Sequence, residues 1–165
     1  MKQRPNIRLT PSKPDLLLVM IGWCAVIAVW VVILINYNQL PEIIPIHFNG
    51  AGEVDDYGEK TTIFILPAIA TILFLGLTIL NKYPHKFNYP VEITEENALG
   101  HYRNATRMIN VMKITIVVFL GLTAFKEIQI AEGKEETLGP RFLVMSLALI
   151  LIPLILFAAK SFRLK

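Results

Sequence analysis

Charge is scarce in this chain, and the scarcity is uneven. Only 18% of the 165 residues are Asp, Glu, Lys or Arg, while 54% are hydrophobic; soluble domains have roughly 25% and 45–50%. Cysteine occurs once, as Cys24, so no internal disulfide and no cysteine-based metal spacing exist; a small side chain buried in an apolar helix needs no further role. HExxH, GxSxG and a phosphate-cradling glycine loop are all missing. With them go the usual marks of a metalloprotease, a serine hydrolase and a P-loop enzyme. No enzymatic activity and no cofactor are expected. A basic domain interleaved with aromatics is also absent, so nucleic acid is not expected as a partner.

What fills the chain instead is apolar runs. Leu16–Ile35 is 20 residues without charge or proline, Ile63–Leu80 is 18 broken only by Pro67, and Phe142–Ala159 is 18 containing Pro153. Each approaches the ~20 residues that cross a ~30 Å hydrocarbon layer. A fourth run, Ile114–Phe125, has 12 residues and reaches 18 only if it starts at Met108 and takes in Asn110 and Lys113. Lys113 can be accommodated by snorkelling if it lies near the helix end. Four helices apolar on every face cannot be surrounded by a chain of this size, so lipid must cover them. The first run exceeds the roughly 7–15 residues of a signal-peptide core and is followed by Asn36-Tyr37-Asn38, with no small-residue cleavage site; a retained anchor is expected.

Basic residues set the expected orientation. With the N-terminus inside, twelve Lys and Arg are cytoplasmic, and Lys60, Lys126, Lys134 and Arg141 are outside. The positive-inside rule then places both termini in the cytoplasm of a multi-pass protein of the cell (inner or plasma) membrane. Four carboxylates share the cytoplasmic side, giving +8, and nine share the other, giving −5. The basic face suits anionic lipid head groups. The expected fold is therefore all-α and integral to the bilayer: a four-transmembrane-helix bundle with a short extracytoplasmic β-like cap and a cytoplasmic interfacial helix. Residues 1–15 form a basic tail, 16–126 hold three crossings with the outer loop 37–61 and the elbow 81–107, and 127–165 hold an outer turn, the fourth crossing and a basic end. Gly76 and Gly121 are candidates for close helix approach. The acidic turn Glu127–Glu136 reads as a solvated connection, and the triplet Asn104-Ala105-Thr106, on the cytoplasmic side, as a chance glycosylation match.

In the elbow, Tyr83-Pro84 and Tyr89-Pro90 prevent a continuous helix. Thr94 reads as an N-cap with Glu95 and Glu96 in the first turn. Leu99, Tyr102, Thr106 and Ile109 then recur at helical spacing opposite Arg103 and Arg107, whose expected place is beside lipid phosphates. The elbow serves as a membrane-surface bend or as a docking site for a cytoplasmic regulator.

The outer loop is the one polar segment without an anchoring task. Ile43–Phe48 favours an extended strand, Asn49-Gly50-Ala51-Gly52 supplies a turn, and Val54–Gly58 returns, which predicts a hairpin. Leu40, Pro41, Ile44, Pro45, His47, Phe48, Asn49, Gly52, Asp55, Tyr57, Gly58 and Lys60 together form a pattern that resembles the domain of unknown function at the N-terminus of Sdp-type immunity proteins. Those are bacterial membrane proteins, the best known of which protects a cell from its own secreted peptide toxin. Two departures stand out: Asp56 directly follows Asp55, and Tyr57 takes a place often held by tryptophan. The separate C-terminal domain of full immunity proteins is not expected here.

The resemblance implies the topology and the outer loop, and points to immunity against, or sensing of, an extracytoplasmic peptide. His47, Phe48, Asn49, Asp55 and Tyr57 are the expected contacts. Phe48 and Tyr57 offer apolar area, His47 and Asn49 directional hydrogen bonds, and Asp55 charge. Alternatives are a structural assembly protein without ligand, or a small transporter. His47 with Glu53, Asp55, Asp56 or Glu59 has three readings: a loop-shaping hydrogen bond, a partner contact, or a divalent-metal site.

Overall fold

The computed structural model describes residues 4–164; Lys2 and Lys165, both counted in the basic face above, lie outside the described residues. Four helices dominate: α1 (Lys13–Asn36), α2 (Ile65–Leu80), α3 (Ala98–Ala131) and α4 (Pro140–Arg163). Between α1 and α2 stands an antiparallel hairpin of β1 (Ile43–Phe48) and β2 (Val54–Glu59). All four helices are long and apolar enough to cross a membrane, α2 with the help of the 3-10 turns that precede it.

Local chemistry explains where the first helix starts. Ser12 donates from its backbone N–H and its hydroxyl to the Asp15 carboxylate at 2.8 and 2.6 Å, and Pro14 lies in the first turn, where its missing N–H costs nothing. The same carboxylate accepts from Arg107 Nε on α3 at 2.6 Å, and Arg107 also reaches Ser12 Oγ. Arg107 is thus bound to α1 and not, as expected, aimed at lipid phosphates. An arginine holding a carboxylate and a hydroxyl gains charge-assisted hydrogen bonds within the protein.

The third crossing and the interfacial helix prove to be one unbroken helix, 34 residues long. That is about 51 Å at 1.5 Å per residue, well beyond one hydrocarbon layer. Thr94 and Asn97 exchange side-chain and backbone bonds one turn ahead of it, so the capping lies where expected while the helix begins at Ala98. Its buried face differs from the expected one: Leu99 is exposed, whereas Ala98, His101, Tyr102, Ala105 and Ile109 are buried. Lys113 is likewise buried, at 1% exposure, and does not snorkel.

Helix α3 is the axle against which α1, α2 and α4 each pack. Its middle meets Val26, Ala70 and Phe74 through Val117. Its C-terminal end joins Ile33, Leu40, Ile44 and Ile63 through Ala124 and Ile128, placing the hairpin's root on the core. Its N-terminal end carries Tyr102, whose hydroxyl donates to Pro5 O at 2.8 Å, while Ile7, Leu9, Tyr89 and Val91 pack around it. The described part of the basic tail is therefore docked on the elbow: Arg4 donates to Phe87 O and lies over the Tyr89 ring. Burial raises the Tyr89 phenol above its ordinary value, and its hydroxyl donates to Pro84 O at 2.9 Å.

Two glycines set helix separations. A Cβ on Gly121 would fall 2.4 Å from Val29 Cγ2, and one on Gly22 would fall 2.6 Å from a Phe74 ring carbon. Gly121 was expected from sequence, Gly22 was not, and Gly76 has nothing within 4 Å. Cys24 is exposed on the outside of the bundle, contrary to the buried position expected. Asn104 is buried with its amide on Phe157 O, so the triplet it begins is closed to glycosylation.

Candidate functional site

The hairpin forms as its sequence dictates. Pro45 keeps β1 extended, and Asn49 closes the turn by accepting the N–H groups of Ala51 and Glu53 on its side-chain oxygen at 2.9 and 3.1 Å. Its amide also donates to the Glu53 carboxylate at 2.9 Å. Gly52 adopts φ +82°, a left-handed conformation that side chains disfavour. Pairing runs Ile44 to Gly58, Pro45 to Tyr57, His47 to Asp56 and Phe48 to Val54, with irregularities on either side of His47. A bulge of this kind re-aims a side chain; here His47 Nδ1 meets Asp55 Oδ1 at 2.6 Å.

Of the five expected contacts, the structure brings His47 and Asp55 together and turns both outward, with 67% and 41% of their side chains exposed. Tyr57 is exposed at 59%. Phe48 is half-buried, and Asn49 is occupied by its own turn, so neither is as free as the sequence suggested. Among the described residues no group of three His, Cys, Asp or Glu side chains is arranged to hold a metal ion. Directional bonding, charge and the exposed ring of Tyr57 are what the surface offers.

Sequence reasoning missed what holds the tip. Leu138 donates its N–H to Gly52 O at 2.8 Å, and Glu53 bridges to Thr137, so the α3–α4 turn adds a short third edge to the hairpin. The acidic turn is therefore not merely a solvated connection. Glu127 within it is buried, Lys126 pairs with Glu135, and Lys134 with Glu132. Leu138 is separated from Gly52 by almost ninety positions, and no local pattern signals such a contact. Gly52→Val should break it: a Cβ there lies 3.2 Å from Leu138 Cβ, and the left-handed backbone costs an L-residue roughly 1–2 kcal/mol. Hydrogen exchange read by mass spectrometry should show lost protection at Leu138 with the α1 and α3 amides unchanged; undiminished protection at Leu138 would show the tether to be dispensable.

The architecture is thus a membrane-type bundle of four helices capped at one end by a tethered two-stranded hairpin. Residues 24–71, from α1 through the hairpin into α2, match the family model described as a domain of unknown function, DUF1648. A protein of Archaeoglobus fulgidus described as uncharacterized is 39% identical in an alignment of 74 residues, with 40% of this chain and 40% of that one covered. The chain therefore spans less than half of that relative's length. No solved structure matches.

Proposed function

We propose that this chain is a multi-pass protein of the cell membrane, with both termini cytoplasmic, whose hairpin meets a cationic extracytoplasmic peptide in an Sdp-immunity-like role. The observation that carries the reading is how charge is left over at the hairpin end. Lys60, Lys126 and Lys134 are each paired with a carboxylate, Glu42, Glu135 and Glu132 respectively, and Arg141 at the start of α4 is the one cation of that end with no ion pair among the described residues. Glu53, Asp55, Asp56 and Glu59 of the hairpin remain exposed around Tyr57. An acidic ledge attracts cationic partners over a Debye length, and an exposed aromatic gives them apolar area on contact. The core beneath Ile44 and the tether at Gly52 hold the ledge in place, which limits the ordering cost of binding. On this reading the chain binds and performs no reaction, and a cytoplasmic regulator would meet the elbow.

The test is survival of a sensitive bacterial host challenged with a cationic peptide toxin while expressing the full chain, Asp55→Ala, His47→Ala or Tyr57→Ala at matched membrane levels. Protection by the unaltered chain should fall about tenfold or more for Asp55→Ala, the scale of one lost charge-assisted contact. Equal protection by all four would remove the hairpin from the mechanism, and no protection by the unaltered chain would reject immunity.

A further inference from the structure

At the opposite end from the hairpin, a cavity of 640 Å³ opens between residues 6–11, the start of α1, the end of α2 and the first half of α3. Its volume lies within the ~300–1,000 Å³ of ordinary ligand sites. Lys113 lines it, 15 residues into α3 and about 22 Å along the helix axis. This ammonium is 1% exposed, donates to Thr78 Oγ1 at 3.0 Å and lies 4.6 Å from the Phe74 ring centroid. No carboxylate pairs with it among the described residues. An ammonium has three donors, and a buried cation without a counter-ion is costly unless something supplies one.

Three further cations, Arg8, Lys82 and Arg103, line the same cavity. The one carboxylate in the lining, Asp15, is already held by Arg107 at 2.6 Å. The field inside is therefore positive. A second observation narrows the chemistry. Asn81, also in the lining, donates its amide to Asn110 Oδ1 and Thr106 O at 3.1 Å each, which fixes the orientation of the group. Its Oδ1 is then left buried with no partner. A ligand suited to this site carries anionic oxygens for the cations and an O–H or N–H donor for Asn81.

We infer that this cavity binds a phosphate group bearing a hydroxyl or amine donor, with Lys113 as its innermost counter-ion. Both a monohydrogen phosphate ion and the head group of a phosphatidylglycerol lipid have that chemistry. The apolar side chains of Ile7, Leu9, Leu16 and Val19 in the lining suit the first methylenes of the lipid's acyl chains, which inorganic phosphate lacks. The inference stands independently of the hairpin's role.

The experiment uses the full chain in nanodiscs of phosphatidylcholine, with phosphatidylglycerol or inorganic phosphate added, and reads thermal unfolding together with lipid retained in native mass spectrometry. Phosphatidylglycerol should bind saturably at one per chain and raise the unfolding midpoint. Lys113→Met and the partly exposed Arg103→Gln should each weaken that binding about tenfold, as loss of one charge-assisted contact does. Lys160→Gln, on α4 and outside the lining, should leave it unchanged. Stabilisation by inorganic phosphate alone, sensitive to Lys113→Met, would identify the free ion as the occupant. Binding of neither probe, or binding that Lys113→Met and Arg103→Gln both leave intact, would overturn the inference.

Discussion

Replacing Gly121 with leucine is expected to destabilise the bundle by about 1–3 kcal/mol, the ordinary cost of overpacking. The first atom added at this position would stand 2.4 Å from Val29 Cγ2 and 3.5 Å from its Cβ. Valine in a helix has essentially one χ1 rotamer, so the methyl cannot swing aside, and α1 must move off α3. The consequence spreads because α3 also carries α2 and α4. Gly76 provides the control. Nothing lies within 4 Å of a Cβ there, so Gly76→Leu should be neutral or gain up to about 1 kcal/mol of helix propensity. Denaturing-detergent titration of the purified protein, followed by the fluorescence of Trp23 and Trp30 on α1, separates the two. Equal losses for both variants, or none for Gly121→Leu, would mean that the α1–α3 contact does not control stability.

An all-or-none result is expected from labelling in intact cells. With Cys24→Ser removing the exposed native thiol, an impermeant maleimide should react with Ala51→Cys at the hairpin tip. It should react with Glu96→Cys in the elbow only after the membrane is opened. Both positions are exposed, so access is decided by the bilayer and not by burial. The expectation follows from twelve Lys and Arg at the elbow end and termini against four at the hairpin end. Immediate labelling of Glu96→Cys with protection of Ala51→Cys would reverse the orientation and move the acidic ledge into the cytoplasm, ending the extracytoplasmic-peptide reading.

The hairpin was legible because its causes are local. Pro45, the Asn49 turn and the positive φ of Gly52 act within a few residues, and the structure pairs the strands around them. The His47–Asp55 contact spans eight positions and follows once the hairpin closes. The tether was not legible, since Leu138 meets Gly52 through a turn with no periodic or compositional mark. Nor was the cavity: Lys113, Asn81 and Arg8 come from three separate parts of the chain, and only packing makes them neighbours.

The sequence by itself therefore determined four helices of membrane-spanning character, a hairpin between the first two, and the separation of basic from acidic ends. Each of these depends on run length, turn chemistry or charge count. The tertiary structure alone decided that α3 is the axle, that Gly22 and Gly121 are the close approaches while Gly76 is open, that Arg107 holds Asp15, and that Lys113 is enclosed. The physical reason is that a helix apolar all round has no preferred side in hydrocarbon. Which face meets a neighbour is settled by shape and by a few hydrogen bonds, and neither is written in the hydropathy of the chain.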